Sequence, residues 1–341
     1  MILKKLKLEN YTVFADQQIE FSPGVNVLIG ENGTGKTHLL KALYSACQSV
    51  DPKVSFPHKL VSTMLPDDYK LSRLISRRRR DRVAVLRVTA GMDDMSQDRT
   101  LTIYIDDSTR KWDAKVVGET GWENSFHATS SVFIPAKEIL SNGYNLNAAT
   151  EKNNVRFDDT YLDILNAAKV DVSEDDGSAE RAVMLKRIQE MTRGTVVYDA
   201  KRDEFYLKSG NARQEFNLVA EGIRKMALLW QLVKNGALKS GSLLFWDEPE
   251  ANINPAYIPI VVDMMLELQR QGVQCFVSTH DYLIAAYFGV KAEPQDRVLF
   301  HALSRQEDGS VGYERSERFA ELKHNAIVTA FNRLLDELYE L

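Results

Sequence analysis

The chain has 341 residues, enough for one large or two modest domains with a buried core. Apolar residues make up 44% and charged residues 27%, which excludes a largely disordered chain. The formal net charge is −5, so any contact with nucleic acid must use a local basic patch. Two cysteines exclude a disulfide framework and a zinc site built from cysteine pairs.

The amino-terminal residues and the apolar runs argue against export and membrane insertion. Residues 1–9 alternate between apolar and polar and lack the apolar core of a signal peptide. No apolar run approaches the ~18 residues that span a bilayer. These patterns predict a cytoplasmic protein without a membrane segment.

The first third of the chain is predicted to be β-rich. Strand patterns occupy residues 2–8, 18–21 and 25–29, and a glycine-rich turn then opens a helix over 36–46. A proline-punctuated polar stretch follows. After it, further strand patterns lie at residues 83–89, 101–105 and 131–134.

The rest of the chain alternates between helix and strand. Helical patterns dominate residues 158–193, and a hairpin is predicted from strands at 196–198 and 205–207. From residue 221 the order becomes regular: helix 221–234, strand 243–246, helix 256–270, strand 273–278 and a helix from 282. This alternation predicts βαβ units and a parallel sheet, and hence an α/β fold.

The parallel core is predicted to be split by an insertion. Residues 1–50 and 220–341 form the two halves of the core. Residues 51–135 form a β-rich part with a variable insertion, and residues 136–219 form a helical lobe that carries the hairpin.

Residues 30–37, Gly-Glu-Asn-Gly-Thr-Gly-Lys-Thr, match the P-loop pattern between an apolar strand and a helix. The glycines let the backbone curl so that its N–H groups point at phosphate oxygens. Lys36 is predicted to reach the β- and γ-phosphates of ATP, and the Thr37 hydroxyl to bind Mg²⁺. The predicted nucleotide-binding residues are Asn32, Gly33, Thr34, Gly35, Lys36, Thr37 and His38.

Two later strands end in polar residues with matching chemistry. The apolar run 243–246 leads into Asp247, a predicted Mg²⁺ ligand, and Glu248, predicted to orient and deprotonate the attacking water. A lone histidine after a strand is usually a loop or cap residue. Because His280 follows these two motifs in this order, we predict that it hydrogen-bonds the γ-phosphate. Glu248, His280 and Lys36 form the predicted catalytic set.

With these three motifs the chain resembles the ABC-type ATPase heads of the OLD, RecF and SMC group, and most of all the stand-alone ATPases of prokaryotic defence systems. Residues 247–255 and 278–280 carry the resemblance, supported by residues 6–11 and 133–138; residues 51–125 match loosely. The resemblance implies an ABC-ATPase head architecture, in which a mixed or parallel central sheet carries an inserted helical lobe.

The same resemblance implies a head-to-tail homodimer, with each ATP between the P-loop of one subunit and a signature turn of the other. The matching turn contributes Ala220, Glu221, Gly222 and Lys225. Ala220 stands where a serine is common, which implies slow hydrolysis or help from Lys225; an ordinary helix start is the alternative reading. Lys137 falls at the Q-loop position but is not a glutamine, so only the position is carried over.

One dense basic cluster stands out in an acidic chain. It consists of Arg77, Arg78, Arg79 and Arg80. The cluster is either a solvated loop or a contact for a DNA phosphate backbone.

Three functions remain after the motifs are combined. We predict a slowly hydrolysing ATPase that controls a separate effector, such as a nuclease, or DNA processing in anti-phage defence. The alternatives are a RecF-like DNA repair ATPase and a regulatory subunit that hydrolyses little; Glu248 favours real hydrolysis.

A transporter subunit is disfavoured, because a Leu-Ser-Gly-Gly signature is missing and the gap from Lys36 to Asp247 is long. A nuclease site in this chain is disfavoured, because Asp296 and Asp308 make no Asp-x-Asp pair.

Overall fold

A computed structural model describes residues 1–76, 82–92, 97–152, 155–170 and 179–339. The strands are β1 (Ile2–Tyr11), β2 (Phe14–Glu20), β3 (Val25–Gly30), β4 (Val83–Gly91), β5 (Arg99–Asp106), β6 (Lys115–Val117), β7 (Ser131–Ile134), β8 (Thr195–Asp199), β9 (Glu204–Ser209), β10 (Ala212–Glu215), β11 (Leu243–Asp247), β12 (Gln274–Thr279), β13 (Val298–Arg305) and β14 (Val311–Ser316). The helices are α1 (Lys36–Gln48), α2 (Phe56–Met64), α3 (Glu119–Phe126), α4 (Leu146–Glu151), α5 (Asp159–Lys169), α6 (Ala179–Thr192), α7 (Glu221–Lys234), α8 (Ile258–Arg270), α9 (Tyr282–Lys291) and α10 (Ala326–Tyr339).

A six-stranded sheet forms the centre, in the order β14-β13-β3-β12-β11-β7. All neighbouring pairs are parallel except β13 and β14, which form an antiparallel hairpin. Every residue of β3, β11 and β12 is buried, as expected for strands covered on both faces. The predicted α/β fold with a mixed central sheet is confirmed, and the carboxyl ends of β3, β11 and β12 lie at one edge.

A second sheet is antiparallel and packs on one face of the first through a hydrophobic core that includes α1. Its order is β2-β1-β4-β5-β6. Leu6 of β1 and Leu86 of β4 share a core with Leu39 of α1 and Phe245 of β11. The P-loop helix α1 is therefore packed between the two sheets.

The opposite face of the central sheet is covered by helices that continue into the lobe. Val261 of α8, Leu229 of α7 and Leu165 of α5 belong to one hydrophobic core. A small antiparallel sheet, β10-β9-β8, packs beside α7 through the same core. The small sheet of the lobe is thus packed against α7, the helix that follows it in the chain.

The sequence patterns located most central elements and missed several peripheral ones. The predicted strand 18–21 is the end of β2, and the predicted helix 256–270 begins as a single 3₁₀ turn, Pro255–Tyr257, before α8. Strand β7 falls in the predicted β-rich segment but joins the parallel sheet beside β11. The patterns missed α2, α3, α4, β6, β10 and β14, and also β13, which lies inside the central sheet. No helix in the described ranges is long and apolar enough to span a membrane.

Candidate functional site

The P-loop leaves the carboxyl end of β3 and enters α1 at Lys36. Gly35, just before the helix, has φ +95°, and a Cβ at this position would lie 2.7 Å from side-chain atoms of Val13 and Phe14. Glycine is required here because the left-handed backbone and the crowded turn both exclude a side chain. The turn between β1 and β2 thus supports the P-loop from the side of the antiparallel sheet.

Lys36 reaches back across the loop that precedes it. Its Nζ donates to the carbonyl oxygens of Gly30, at 2.7 Å, and Glu31, at 3.0 Å. Burial lowers the pKa of this ammonium, and the nearby carboxylates of Glu248 and Asp247 partly oppose that shift. The cation therefore lies at the centre of the loop, where a phosphate would meet it.

The other predicted loop residues differ in what they present. Asn32 and Gly33 are exposed, whereas Thr34 is buried and its hydroxyl donates to the carbonyl of Glu31 at 2.8 Å. His38 has a buried Nδ1 without a hydrogen-bond partner in the described residues, and burial lowers its pKa. The part of His38 in phosphate binding stays a prediction.

The P-loop threonine and the first strand-end acid are brought into contact. Thr37 Oγ1 lies 2.9 Å from Oδ2 and 3.1 Å from Oδ1 of Asp247. Ser278, opposite Asp247 in the β11–β12 register, also donates a hydrogen bond to this carboxylate. Burial raises the pKa of Asp247, and the two hydroxyl donors partly oppose the shift.

These oxygens fit a bound magnesium ion. Mg²⁺ prefers hard oxygen ligands and is commonly bound by one or two protein groups together with substrate phosphates. Thr37 and Asp247 supply a hydroxyl and a carboxylate side by side. The described residues hold no cluster of three or more His, Cys, Asp or Glu side chains that could bind a metal by themselves. The donor set therefore suits a metal shared with a nucleotide.

The second strand-end acid, Glu248, is held in a left-handed backbone conformation with φ +48°. Its N–H donates to the carbonyl of Ser278 at 3.0 Å, which ties the turn to β12. A non-glycine residue with this φ is strained, and such strain clusters at functional sites. Oε1 of Glu248 lies 3.2 Å from Nδ1 of His280, and both side chains are partly exposed. The two predicted catalytic side chains are therefore neighbours.

Glu250 is a site residue that sequence reasoning did not select. Its buried carboxylate accepts hydrogen bonds from Thr279 Oγ1 at 2.6 Å and from the His280 N–H at 3.2 Å. Burial raises the pKa of Glu250. It thereby holds the strand end that carries His280. Its position two residues after Glu248 was the sequence signal that could have identified it. Sequence reasoning also did not select Ser278, which lies two residues before His280.

The predicted signature turn lies at the start of α7. Ala220 is exposed and Glu221 and Gly222 are half-buried. Lys225 is buried instead, and its Nζ donates to the carbonyl of Ala251 at 2.7 Å. The ammonium of Lys225 is therefore bound by the loop after β11, and its role in the signature turn stays a prediction.

The predicted Q-loop position follows β7. Lys137 is exposed, whereas the next residue, Glu138, is buried and forms an ion pair with Nε of Arg224 on α7 at 2.9 Å. Ser141 donates to the same carboxylate through its N–H and its hydroxyl. This loop is therefore linked to α7 through Glu138. The arginine run 77–80 lies outside the described residues, and its DNA contact stays a prediction.

The fold and this set of strand-end residues define a class of protein. The P-loop follows β3, Asp247 and Glu248 lie at the end of β11, and His280 follows β12. The sheet that carries them is covered by an antiparallel sheet and by helices. This combination characterises a P-loop ATPase of the ABC head type. Residues 25–286 match the family described as "AAA domain, putative AbiEii toxin, Type IV TA system", and the chain belongs to this family.

Short stretches of the chain are similar to RecF and Rad50 proteins. It is 40% identical over 62 residues to the DNA replication and repair protein RecF of Limosilactobacillus reuteri, covering 18% of this chain and 17% of that protein. It is 31% identical over 85 residues to the Rad50 ATPase of Archaeoglobus fulgidus, covering 21% of this chain and 10% of that protein. The matches thus span a small part of each relative.

Solved structures extend the likeness of fold to nearly the whole chain. An SMC head bound to the C-winged helix domain of ScpA aligns with TM-score 0.61 and 14% identity, covering 93% of this chain and 98% of that one. The SMC head of Thermotoga maritima aligns with TM-score 0.51 and 14% identity, covering 93% and 99%. At such identities the likeness concerns the fold.

Proposed function

We propose that this chain binds ATP with Mg²⁺ and hydrolyses it slowly, in sites completed by head-to-tail association of two copies. The observation that carries the proposal is the contact between Thr37 and Asp247, with Glu248 and His280 beside it. A hydroxyl and a carboxylate at the mouth of a P-loop are suited to a metal that also binds the phosphates.

The residues then have distinct tasks. The P-loop N–H groups and Lys36 bind the phosphates, and Thr37 and Asp247 hold the metal. Bound Mg²⁺ would neutralise charge on the β- and γ-phosphates. Glu248 accepts a proton from the attacking water, because it is the partly exposed carboxylate beside the metal ligands. Ser278 keeps the Asp247 carboxylate turned toward Thr37.

His280 is placed to link Glu248 to the γ-phosphate. Its Nδ1 faces the Glu248 carboxylate, which only accepts hydrogen bonds, so Nδ1 carries the proton. Nε2 is then the ring nitrogen left to face the γ-phosphate. Glu250 fixes the backbone from which this ring projects.

The dimer and the effector rest on separate observations. Ala220 is exposed at the start of α7, as a turn that completes a partner's site would be. Control of a separate effector, such as a nuclease, in anti-phage defence is proposed from the resemblance to the stand-alone ATPases of defence systems; the family description names a putative toxin of a Type IV TA system. A role in DNA repair is the second candidate, favoured by the match to RecF.

Paired substitutions test the ATPase proposal. Lys36→Ala should abolish ATP binding, whereas Glu248→Gln should retain binding, lower the hydrolysis rate by about 10²–10⁴-fold and accumulate an ATP-bound dimer. Lys239→Ala is the matched control, since this exposed lysine lies near the opposite end of β11 from Asp247. The measurements are nucleotide binding, steady-state hydrolysis and light scattering. Hydrolysis by Glu248→Gln at the wild-type rate would show that the assigned base is wrong.

A further inference from the structure

Strand β13 ends beside the P-loop, although no motif marks it. It runs parallel to β3, and Leu303 is the register partner of Gly30, the first P-loop residue. Arg305 is two residues further along and is the last residue of β13. Its Nη2 lies 3.0 Å from the position that a Cβ on Gly33 would occupy. The guanidinium therefore flanks the P-loop turn.

The arginine is presented by a rigid element. Arg305 pairs with Val311 of β14 in the antiparallel ladder, and the hairpin turn beyond it is closed by a hydrogen bond from the Gln306 N–H to the Ser310 carbonyl at 2.9 Å. Its side chain is exposed, and it has no ion-pair partner among the described residues. The paired strands thus fix the backbone from which this cation projects beside the P-loop.

The local chemistry points to the terminal phosphate rather than to another anion. Nζ of Lys36, the cation expected between the β- and γ-phosphates, contacts the carbonyls of Gly30 and Glu31 in the turn that Arg305 flanks. Because Gly33 has no side chain, the guanidinium of Arg305 can lie directly against this loop. A guanidinium binds phosphate oxygens through two parallel N–H donors, which lysine cannot do.

We propose that Arg305 is a second cationic ligand of the γ-phosphate of bound ATP, acting within the same subunit across the turn at Gly33. The inference rests on the proposed ATP site. It assigns to the β13 hairpin a part in distinguishing ATP from ADP.

Binding of MgATP and MgADP to the full chain tests this inference. Arg305→Ala and Arg305→Gln should weaken MgATP binding by about 10- to 100-fold, the range for hydrogen bonds to charged groups, and leave MgADP binding close to wild type. Arg305→Lys should restore only part of the affinity. Arg297→Ala is the control: it lies just before β13, about 26 Å from Arg305 at 3.3 Å per residue, and should change neither affinity.

The outcomes separate this inference from the ATPase proposal. If wild type binds MgATP, Lys36→Ala does not, and Arg305→Ala binds like wild type, the inference is wrong and the ATP site stands. An equal loss for MgATP and MgADP would also overturn it. A loss of dimer with unchanged nucleotide affinity would instead make Arg305 a contact to the second copy and contradict the assignment. If wild type does not bind MgATP, the proposed function itself fails.

Discussion

The hydroxyl of Thr37 lies 2.9 Å from Oδ2 of Asp247, although 210 residues separate them in the chain. Strand β12 pairs in parallel with both β3 and β11, so the ends of the strands that carry these residues meet at one edge of the sheet. The contact is thus a consequence of strand order. It also joins the strand at residues 25–30 to the strand at residues 243–247, which lie far apart in sequence.

Replacing Asp247 should remove metal-dependent nucleotide binding without destabilising the fold. Because burial raises the pKa of this carboxyl, its charge is unfavourable in the free protein, and Asp247→Asn should leave the melting temperature unchanged or higher. MgATP at 100 times its Kd should stabilise wild type by about 2.7 kcal/mol, and this gain should vanish in the variant. Thermal unfolding with MgATP and with ATP plus EDTA measures this magnesium-dependent gain in stability.

The exposed Asp336 on α10 provides the control for this experiment. Asp336→Asn should keep the full MgATP shift. A magnesium-dependent shift of wild-type size in Asp247→Asn would contradict the assignment of this residue as a ligand.

Glu250 should act on catalysis through His280. Its carboxylate accepts hydrogen bonds from the Thr279 hydroxyl and the His280 N–H, and removing it leaves both donors without this partner. Glu250→Ala should lower hydrolysis by about tenfold with little change in ATP affinity, the size of one lost hydrogen bond to a charged group. His280→Ala should be at least as severe.

A double-mutant cycle distinguishes positioning from an independent effect of Glu250. If Glu250 acts only by placing His280, the double variant should hydrolyse ATP no more slowly than His280→Ala. Multiplied losses in the double variant would mean that Glu250 has a role of its own.

Gly222 should be sensitive to a single methyl group. A Cβ there would lie 2.8 Å from the carbonyl oxygen of Asn252 and 3.1 Å from Cα of Ile253, both backbone atoms of the loop after β11. Gly222→Ala should therefore cost about 1–3 kcal/mol of unfolding free energy, as overpacking does, or displace that loop. Urea unfolding measures the cost.

Gly289 on α9 is the matched helical glycine. Its Cβ would meet only Phe319 Cβ at 3.8 Å, an ordinary contact, so Gly289→Ala should be neutral or stabilise by up to about 1 kcal/mol. Equal effects of the two substitutions would refute the close approach of α7 to the loop.

Buried His301 should make stability depend on pH. It lies between Asn26 Oδ1, 3.1 Å from Nε2, and the Tyr313 hydroxyl, 3.0 Å from Nδ1. Burial lowers its pKa from 6.5 to about 3. The folded state thus binds fewer protons than the unfolded chain, so the stabilisation is complete above pH 6.5 and declines as pH falls toward 3, by about 1.4 kcal/mol per pH unit.

Urea unfolding between pH 7.5 and 4.5 tests this dependence. His301→Gln keeps polar groups but does not titrate, so its unfolding free energy should fall less steeply with acid than that of wild type. His127→Gln, at an exposed histidine, should follow wild type. Identical slopes for wild type and His301→Gln would rule out the buried neutral ring.

Much of the candidate site could be predicted because its residues follow buried strands. The P-loop follows β3, Asp247 ends β11 and His280 follows β12, and apolar runs of this length in alternation with helices indicate parallel strands. Strands β13 and β14 were harder to predict, since polar residues such as His301 and Ser304 interrupt their apolar pattern. Their position beside β3 is a long-range pairing that local periodicity does not encode.

The sequence by itself determined the chemistry: a phosphate-binding loop, two strand-end acids and a histidine, in an order typical of ABC-type heads. Only the tertiary structure decided which side chains support them, namely Ser278 on Asp247, Glu250 on His280 and Arg305 beside Gly33. It also decided that the ammonium of Lys225 donates a hydrogen bond to the carbonyl of Ala251. The reason is physical. A motif specifies local backbone and residue type, whereas the direction of a side chain depends on which distant elements pack against it.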